Sequence, residues 1–394
     1  MPDIRFDPSV PKGLDRSMDA ANPACRAIMG IGEEKQATLH NPSDRHAIPS
    51  VAIDRPTRYP PTRLFSRPFS PSTGLSDPRI LVTGGAGFIG SHIVEALLEI
   101  GHAVTVLDDF SSGSRTNLAH LVGDLRVIEG TIQSAADCRW AFQDVMAVSH
   151  QAAFGSVPRS IAEPTLYSAN NVHGTVNVLA EARRCGVRRV VVASSSSVYG
   201  DDPSNVKAEG TVGTLLSPYA ASKRACELFA ESLAEAADMQ VVCLRYFNVF
   251  GPRQNPTGPY AAVIPKFIRS IQNQERAEIH GDGHQARDFT YVRNVVDANL
   301  RSLHVPLAAG AYIVNVACGE STSVLELHRQ LSTLAGSAIP PVHTATRTGD
   351  IRNSCASIDR ARHVLGYAPL LPLADGLRLT LAWYQQHSGS EVAR

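Results

Sequence analysis

The chain has 394 residues, with 37 lysines and arginines against 37 aspartates and glutamates, 43% hydrophobic residues and a pI of about 7.2. That balance carries no long-range field to recruit nucleic acid or an anionic membrane surface, and no run of about 18 apolar residues predicts a membrane span. Seven cysteines, odd in number and without a C-x-x-C pair, argue against a disulfide framework and a zinc site, so no metal is expected and a reducing cytoplasm is the expected compartment.

Twelve of the 25 prolines fall within residues 1–78, a stretch without helical or strand periodicity that holds ten basic and nine acidic side chains. It is expected to be disordered, because so little apolar surface cannot offset the entropy of ordering. It has no apolar block for a signal peptide and too many acids for a transit peptide; a mis-assigned start codon is the other reading.

From Arg79 onward, β-branched runs alternate with amphipathic stretches, the pattern of a parallel sheet covered on both faces. The spacing predicts strands at 80–83, 103–107, 147–150, 188–194 and 241–245. A helix between the first two rests on Ile93, Val94, Leu97 and Leu98 and ends at Gly101. After Asn248 the alternation weakens, and prolines and glycines crowd 251–283, which predicts a second lobe that closes over a ligand. The expected fold class is α/β: a Rossmann-type doubly wound parallel sheet over 79–248 with a returning segment near 289–316. A smaller α/β substrate-binding lobe would come from 249–288 and 317–394.

Thr83-Gly84-Gly85-Ala86-Gly87-Phe88-Ile89-Gly90 lies between the first strand and the first helix, where a backbone must turn sharply and approach a pyrophosphate. Gly84, Gly87 and Gly90 would serve the turn, the close approach and the packing of helix on strand. Asp108 follows the second strand, 18 residues after Gly90, where a carboxylate can accept bonds from ribose hydroxyls and repel a phosphate, so NAD is favoured over NADP. Asp109, Ser111 and Gly113 could extend that ribose site.

Tyr219-Ala220-Ala221-Ser222-Lys223 opens a helix announced by Ser217-Pro218, and residues four apart share a face, so the ammonium can stand beside the phenol. A free phenol, with a pKa near 10, is a poor base at neutral pH; a nearby cation and an oxidised nicotinamide would favour its ionised form. Such a tyrosine can accept a hydroxyl proton while hydride leaves the same carbon. Earlier in the chain, Val190–Ala193 runs into Ser194-Ser195-Ser196-Ser197-Val198-Tyr199-Gly200, placing hydroxyls at the carboxyl end of a strand, the end where open parallel sheets bind ligands.

Together these features resemble the extended short-chain dehydrogenase/reductase family over residues 79–390, and within it the bacterial nucleotide-sugar 4-epimerases, above all those acting on UDP-N-acetylglucosamine. His150-Gln151-Ala152-Ala153, Gly155-Ser156-Val157-Pro158-Arg159-Ser160, Asn171-Val172-His173-Gly174-Thr175 and Arg245-Tyr246-Phe247-Asn248-Val249-Phe250-Gly251 carry the likeness. The resemblance implies Tyr219 as base, Lys223 as its support and ligand of the nicotinamide ribose, and Ser195 and Ser196 as substrate-bonding serines. It implies NAD contacts from Phe88, Ile89, Thr131, Ile132, Gln151, Ala152, Ala153, Asn171 and Tyr246 as well as the glycine loop. Asn248 would hold the diphosphate or sugar, Arg287 and Arg347 the UDP diphosphate, and Gly155, Ser156 and Asp350 further parts of the substrate. Ser354 resembles the gatekeeper position, where a small side chain leaves room for an acetamido group. A homodimer is implied by the same likeness. Gly130-Thr131-Ile132 departs from the usual Gly-Asp-Ile, which removes a carboxylate from the adenine end and is expected to lower cofactor affinity.

Dehydratases of this family place an Asp-Glu pair where this chain has Ser196 and Ser197. Without a carboxyl group to expel water, oxidation at carbon 4 of a UDP-sugar should be followed only by return of hydride, and return to the other face is epimerisation.

Overall fold

The computed structural model describes residues 78–256, 261–346 and 353–387; the expectations for residues 1–77, and those for Arg347 and Asp350, fall outside the described residues. Seven strands form one sheet: β1 Arg79–Thr83, β2 Ala103–Asp108, β3 Leu125–Glu129, β4 Val145–His150, β5 Arg189–Ser195, β6 Gln240–Tyr246 and β7 Gly310–Val316. Their order is β7-β6-β5-β4-β1-β2-β3, and every ladder is parallel. This is the doubly wound Rossmann-like sheet expected from the alternation.

The central strands are buried along their length because helices cover both faces. Helix α1 (Phe88–Glu99) and helix α4 (Val292–His304) press Ile93, Val94, Leu97, Val295, Leu300 and Leu303 onto one face. Helix α2 (Gly174–Arg184) and helix α3 (Pro218–Ala236) press Val178, Leu179, Ala182, Cys226 and Ala230 onto the other. A third apolar core joins Phe250, Ile264, Phe267, Leu327, Leu331, Leu377 and Leu381, drawn from the segments after β6 and β7. Beside it a four-stranded sheet runs 322–323, 286–287, 353–356, 206–207.

Strand order reverses between β1 and its neighbours β2 and β4, which opens a crevice at their carboxyl ends. Thr83 lies opposite Leu107 on one side and His150 on the other, so Gly84, Asp108 and Gln151 leave the sheet at the same level. Ser195 and Tyr246, the last residues of β5 and β6, are likewise opposite each other.

Candidate active site

The glycine loop is built by three different steric demands. Gly84 has φ of 67°, and a Cβ there would lie 2.7 Å from the Ala152 nitrogen where β4 exits. A Cβ on Gly90 would lie 2.0 Å from the Gly84 oxygen, so only glycine lets the first turn of α1 rest on the loop. Gly87 meets only that same oxygen, at 3.2 Å, and otherwise faces open space. Gly113 lies beneath the loop: its Cβ would sit 2.8 Å from the Ala86 carbonyl carbon, and Ser114 N–H donates to Ala86 O at 2.9 Å.

Asp108 closes this end. Its carboxylate accepts from Ala86 N–H at 2.9 Å and Phe110 N–H at 2.8 Å, and burial raises its pKa against the pull of those two bonds. Asp109 accepts from the Ser111 amide and hydroxyl at 2.9 and 2.6 Å, fixing the next turn.

A cleft of about 580 Å³ runs from this loop to helix α3. Its floor holds Gly84, Gly87, Phe88, Ile89, Gly90, Asp108, Asp109 and Ser111. Thr131, Ile132, Gln151, Ala152, Ala153 and Gly155 line its middle, and Tyr219, Lys223 and Tyr246 its far end. Under that end Tyr246 donates to Gln151 Oε1 at 3.0 Å and accepts from Asn299 Nδ2 at 2.9 Å, which ties α4 to the cleft. Thr131 accepts from Gln133 N–H at 3.3 Å, and its own amide donates to Asp137 at 2.9 Å.

Helix α3 is capped by Ser217, whose hydroxyl accepts from Ala220 N–H at 3.1 Å, with Pro218 at its first position. One turn on, Lys223 is buried and donates to Ala193 O of β5 at 2.7 Å; burial lowers its pKa. Burial pushes the Tyr219 phenol up to about 12, and a hydrogen bond with Ser195 pulls it back down. Tyr167 stands edge-on to the phenol ring, with centroids 6.3 Å apart.

The structure thus brings Tyr219 and Lys223 to one end of the glycine-lined cleft, with Ser195 beside the phenol but not among the residues that line the cleft. Other residues singled out in the sequence lie around it. Asn171 braces the wall rather than lining it, accepting from Phe154 N–H at 2.9 Å and donating to Phe154 O at 3.1 Å and Ser222 Oγ at 3.0 Å. Ser156 caps the short helix Val157–Ala162. Ser196 opens the 3₁₀ turn after β5. Asn248 has a φ of 31° and donates to Asp288 O at 2.9 Å. Arg287 and Ser354 are Cα partners in the four-stranded sheet.

Of the strand-end serine run, Ser194 rather than Ser195 or Ser196 stands in the cleft wall, and sequence reasoning missed Phe154 and Asn170 there and Gln254, Asn255, Ala261 and Ala262 from the segment after β6. That segment had been legible only as a proline- and glycine-rich stretch.

Among the described residues no three His, Cys, Asp or Glu side chains form a metal cluster, and no helix is long and apolar enough to cross a membrane. The fit to a dinucleotide is good: an open position at Gly87 on a helix N-terminus, a carboxylate at Asp108 and a tyrosine-lysine pair at the opposite end.

Residues 80–317 match the NAD dependent epimerase/dehydratase family, and the chain belongs to it; NAD is the cofactor. A UDP-glucose 4-epimerase of Mycolicibacterium smegmatis is 38% identical over 315 residues, covering 79% of this chain and 99% of that relative. The solved UDP-N-acetylglucosamine 4-epimerase of Methanobrevibacter ruminantium, in complex with UDP-N-acetylmuramic acid, is also 38% identical, with a TM-score of 0.75 over 79% of this chain and 100% of its own. The UDP-glucose 4-epimerase of Thermus thermophilus, in complex with NAD, is 33% identical with a TM-score of 0.71 over 78% and 99%.

Proposed function

We propose that this chain interconverts the 4-epimers of a UDP-hexose, with UDP-N-acetylglucosamine and UDP-N-acetylgalactosamine as the preferred pair. The observation that carries the reading is the meeting of Tyr219 and Lys223 at the end of the glycine-lined cleft, with Ser195 beside the phenol.

Bound NAD would supply a reversible hydride acceptor. Its diphosphate is assigned to the loop at Gly87, its adenosine ribose to Asp108, with Asp109, Ser111 and Gly113 behind it, and its nicotinamide ribose to Lys223 and Tyr219. Tyr219 takes the proton from the carbon-4 hydroxyl, Ser195 holds that oxygen, and Lys223 stabilises the phenolate. The keto sugar turns about its diphosphate linkage, Tyr219 returns the proton, and the centre is inverted. Arg287 and Arg347 are assigned to the diphosphate, Asn248, Asp350, Gly155 and Ser156 to the rest of the substrate, and Ser196 to a second bond to the sugar. A small Ser354, paired in register with Arg287, supports acceptance of an acetamido group.

The relatives named as UDP-glucose 4-epimerases favour a second reading, in which plain UDP-hexoses turn over as well. The reading includes a cytoplasmic homodimer, for which the exposed Leu228 and Phe229 on α3 offer apolar surface to a second copy. Incubation with UDP-N-acetylglucosamine, followed by mass and sugar analysis, tests substrate and reaction together. Unchanged mass with appearance of the galacto epimer is expected; loss of water, or no conversion by the NAD-loaded protein, would overturn the assignment.

A further inference from the structure

Three consecutive residues of β5 each engage a different residue of α3. Ala193 O accepts from Lys223 Nζ at 2.7 Å, Ser194 Oγ donates to Glu227 Oε1 at 2.6 Å, and Ser195 stands beside the Tyr219 phenol and draws its pKa down. The helix partners, 219, 223 and 227, are spaced four apart and so form a single row facing the strand. Two members of that row belong to the proposed chemistry; Glu227 does not.

Glu227 is 0% exposed, and its carboxylate is saturated with donors. Besides Ser194, it accepts from Arg245 Nε at 2.8 Å and Nη2 at 2.9 Å and from Arg224 Nη1 at 2.9 Å. Arg245 is itself 1% exposed, lies 4.8 Å over the Tyr199 ring, and comes from β6, on the far side of β5 from β4. A buried ion pair of this kind contributes little net stability compared with well-packed apolar side chains of the same volume, because desolvation offsets its attraction. What it supplies is geometry: a bidentate fork on one side and a short hydroxyl bond on the other leave the helix one register against the sheet.

We propose that Glu227 is a positioning residue for the Tyr219–Lys223 pair: held by Arg245, it takes the Ser194 hydroxyl and so fixes α3 on β5 at the register that joins Tyr219 to Ser195. The claim deepens the proposed function and rests on it for its kinetic part. Glu227 touches neither ligand; it acts through Ser194 and the helix.

Ser194→Ala removes one of the four donors and leaves the Arg245–Glu227 fork in place, so the protein is expected to fold; Ser194→Thr keeps the hydroxyl. With the full-length NAD-loaded protein, Ser194→Ala should lower kcat about tenfold, with KM for the UDP-hexose and bound NAD content close to wild type, while Ser194→Thr recovers most of the loss. The second readout needs no turnover. Ultraviolet titration of the Tyr219 phenol, taken as the difference from Tyr219→Phe, should move upward by about half a pH unit in Ser194→Ala, because a loosened Ser195 bond no longer favours the ionised form. An unmoved phenol titration overturns the positioning role whatever the kinetics show, as does a loss confined to KM or NAD content. A wild type that does not epimerise, but whose phenol titration responds to Ser194→Ala as described, overturns the functional reading and upholds the clamp.

Discussion

Tyr219 and Lys223 sit in an environment that disfavours charge on both: burial raises the phenol to about 12 and lowers the ammonium. The phenol is therefore protonated in the cofactor-free cleft at neutral pH; the proposed function requires it to become a usable base when bound cofactor adds positive charge beside Lys223. Activity that needs the deprotonated phenol is lost as pH falls, so kcat should rise with pH to a plateau. Lys223→Met should shift that rise to higher pH. Tyr219→Phe should lower kcat by about 10²–10⁴-fold while leaving bound NAD near wild type, measured by turnover and cofactor content; substantial residual turnover would remove Tyr219 as the base. The i, i+4 pairing of tyrosine and lysine was legible in the sequence because helical spacing alone sets it. The Ala193 carbonyl that receives Lys223 was not legible, because that contact depends on how α3 packs over β5.

At the scale of elements, the glycine loop and the first turn of α3 carry the site. Gly90→Ala would drive a methyl group into the Gly84 carbonyl, so the loop must move; loss of NAD binding with a lowered melting temperature is expected, by fluorescence titration and thermal unfolding. Ser217→Ala removes the cap on the turn that holds Tyr219 and should cost about 1 kcal/mol of stability, seen in urea unfolding. The strands that were legible are those with buried β-branched runs, β1, β2, β4, β5 and β6. The edge strand β3 escaped the strand reading because Val127 and Glu129 are exposed and nothing in Leu125–Glu129 alternates cleanly. β7 was legible only as part of a returning segment, since its first three residues are half-buried and its pairing with β6 bridges a long stretch of chain. The cleft residues Gln254 and Asn255 escaped for a related reason: no periodicity marks a loop that is held by tertiary bonds, such as Gln254 Nε2 to Val249 O at 3.1 Å.

For the whole molecule, buried histidines couple the fold to pH, His92 and His150 most strongly. His150 lies between Thr83 and Thr175; Thr175 donates to Asn171 O, so Nε2 of His150 donates to Thr175, and in the neutral ring Nδ1 accepts from Thr83. Burial keeps that imidazole neutral. His92 donates through Nε2 to Pro252 O at 3.0 Å, joining α1 to the segment after β6. Burial pushes both histidines down to about 3 from an ordinary value of 6.5. Between those values the unfolded chain binds more protons than the fold, so stability is full above about pH 6.5 and falls on acidification by roughly 1.4 kcal/mol per pH unit for each histidine. Asp288, which burial raises to about 6, opposes this below that pH, so the test is a difference: in urea unfolding His92→Gln, which keeps a donor for Pro252, should lose stability less steeply than wild type between pH 7 and pH 5. A slope unchanged by the substitution would remove His92 from this account.

The central claim is that the Tyr219 end of the cleft takes hydrogen from carbon 4 of a UDP-hexose and gives the same hydrogen back to the other face. It is tested most directly by following deuterium placed at carbon 4 of UDP-N-acetylglucosamine through turnover in ordinary water. The account predicts a UDP-N-acetylgalactosamine product that keeps its deuterium at carbon 4. Product that has exchanged this deuterium for solvent hydrogen would contradict it, because the hydrogen would then have left as a proton.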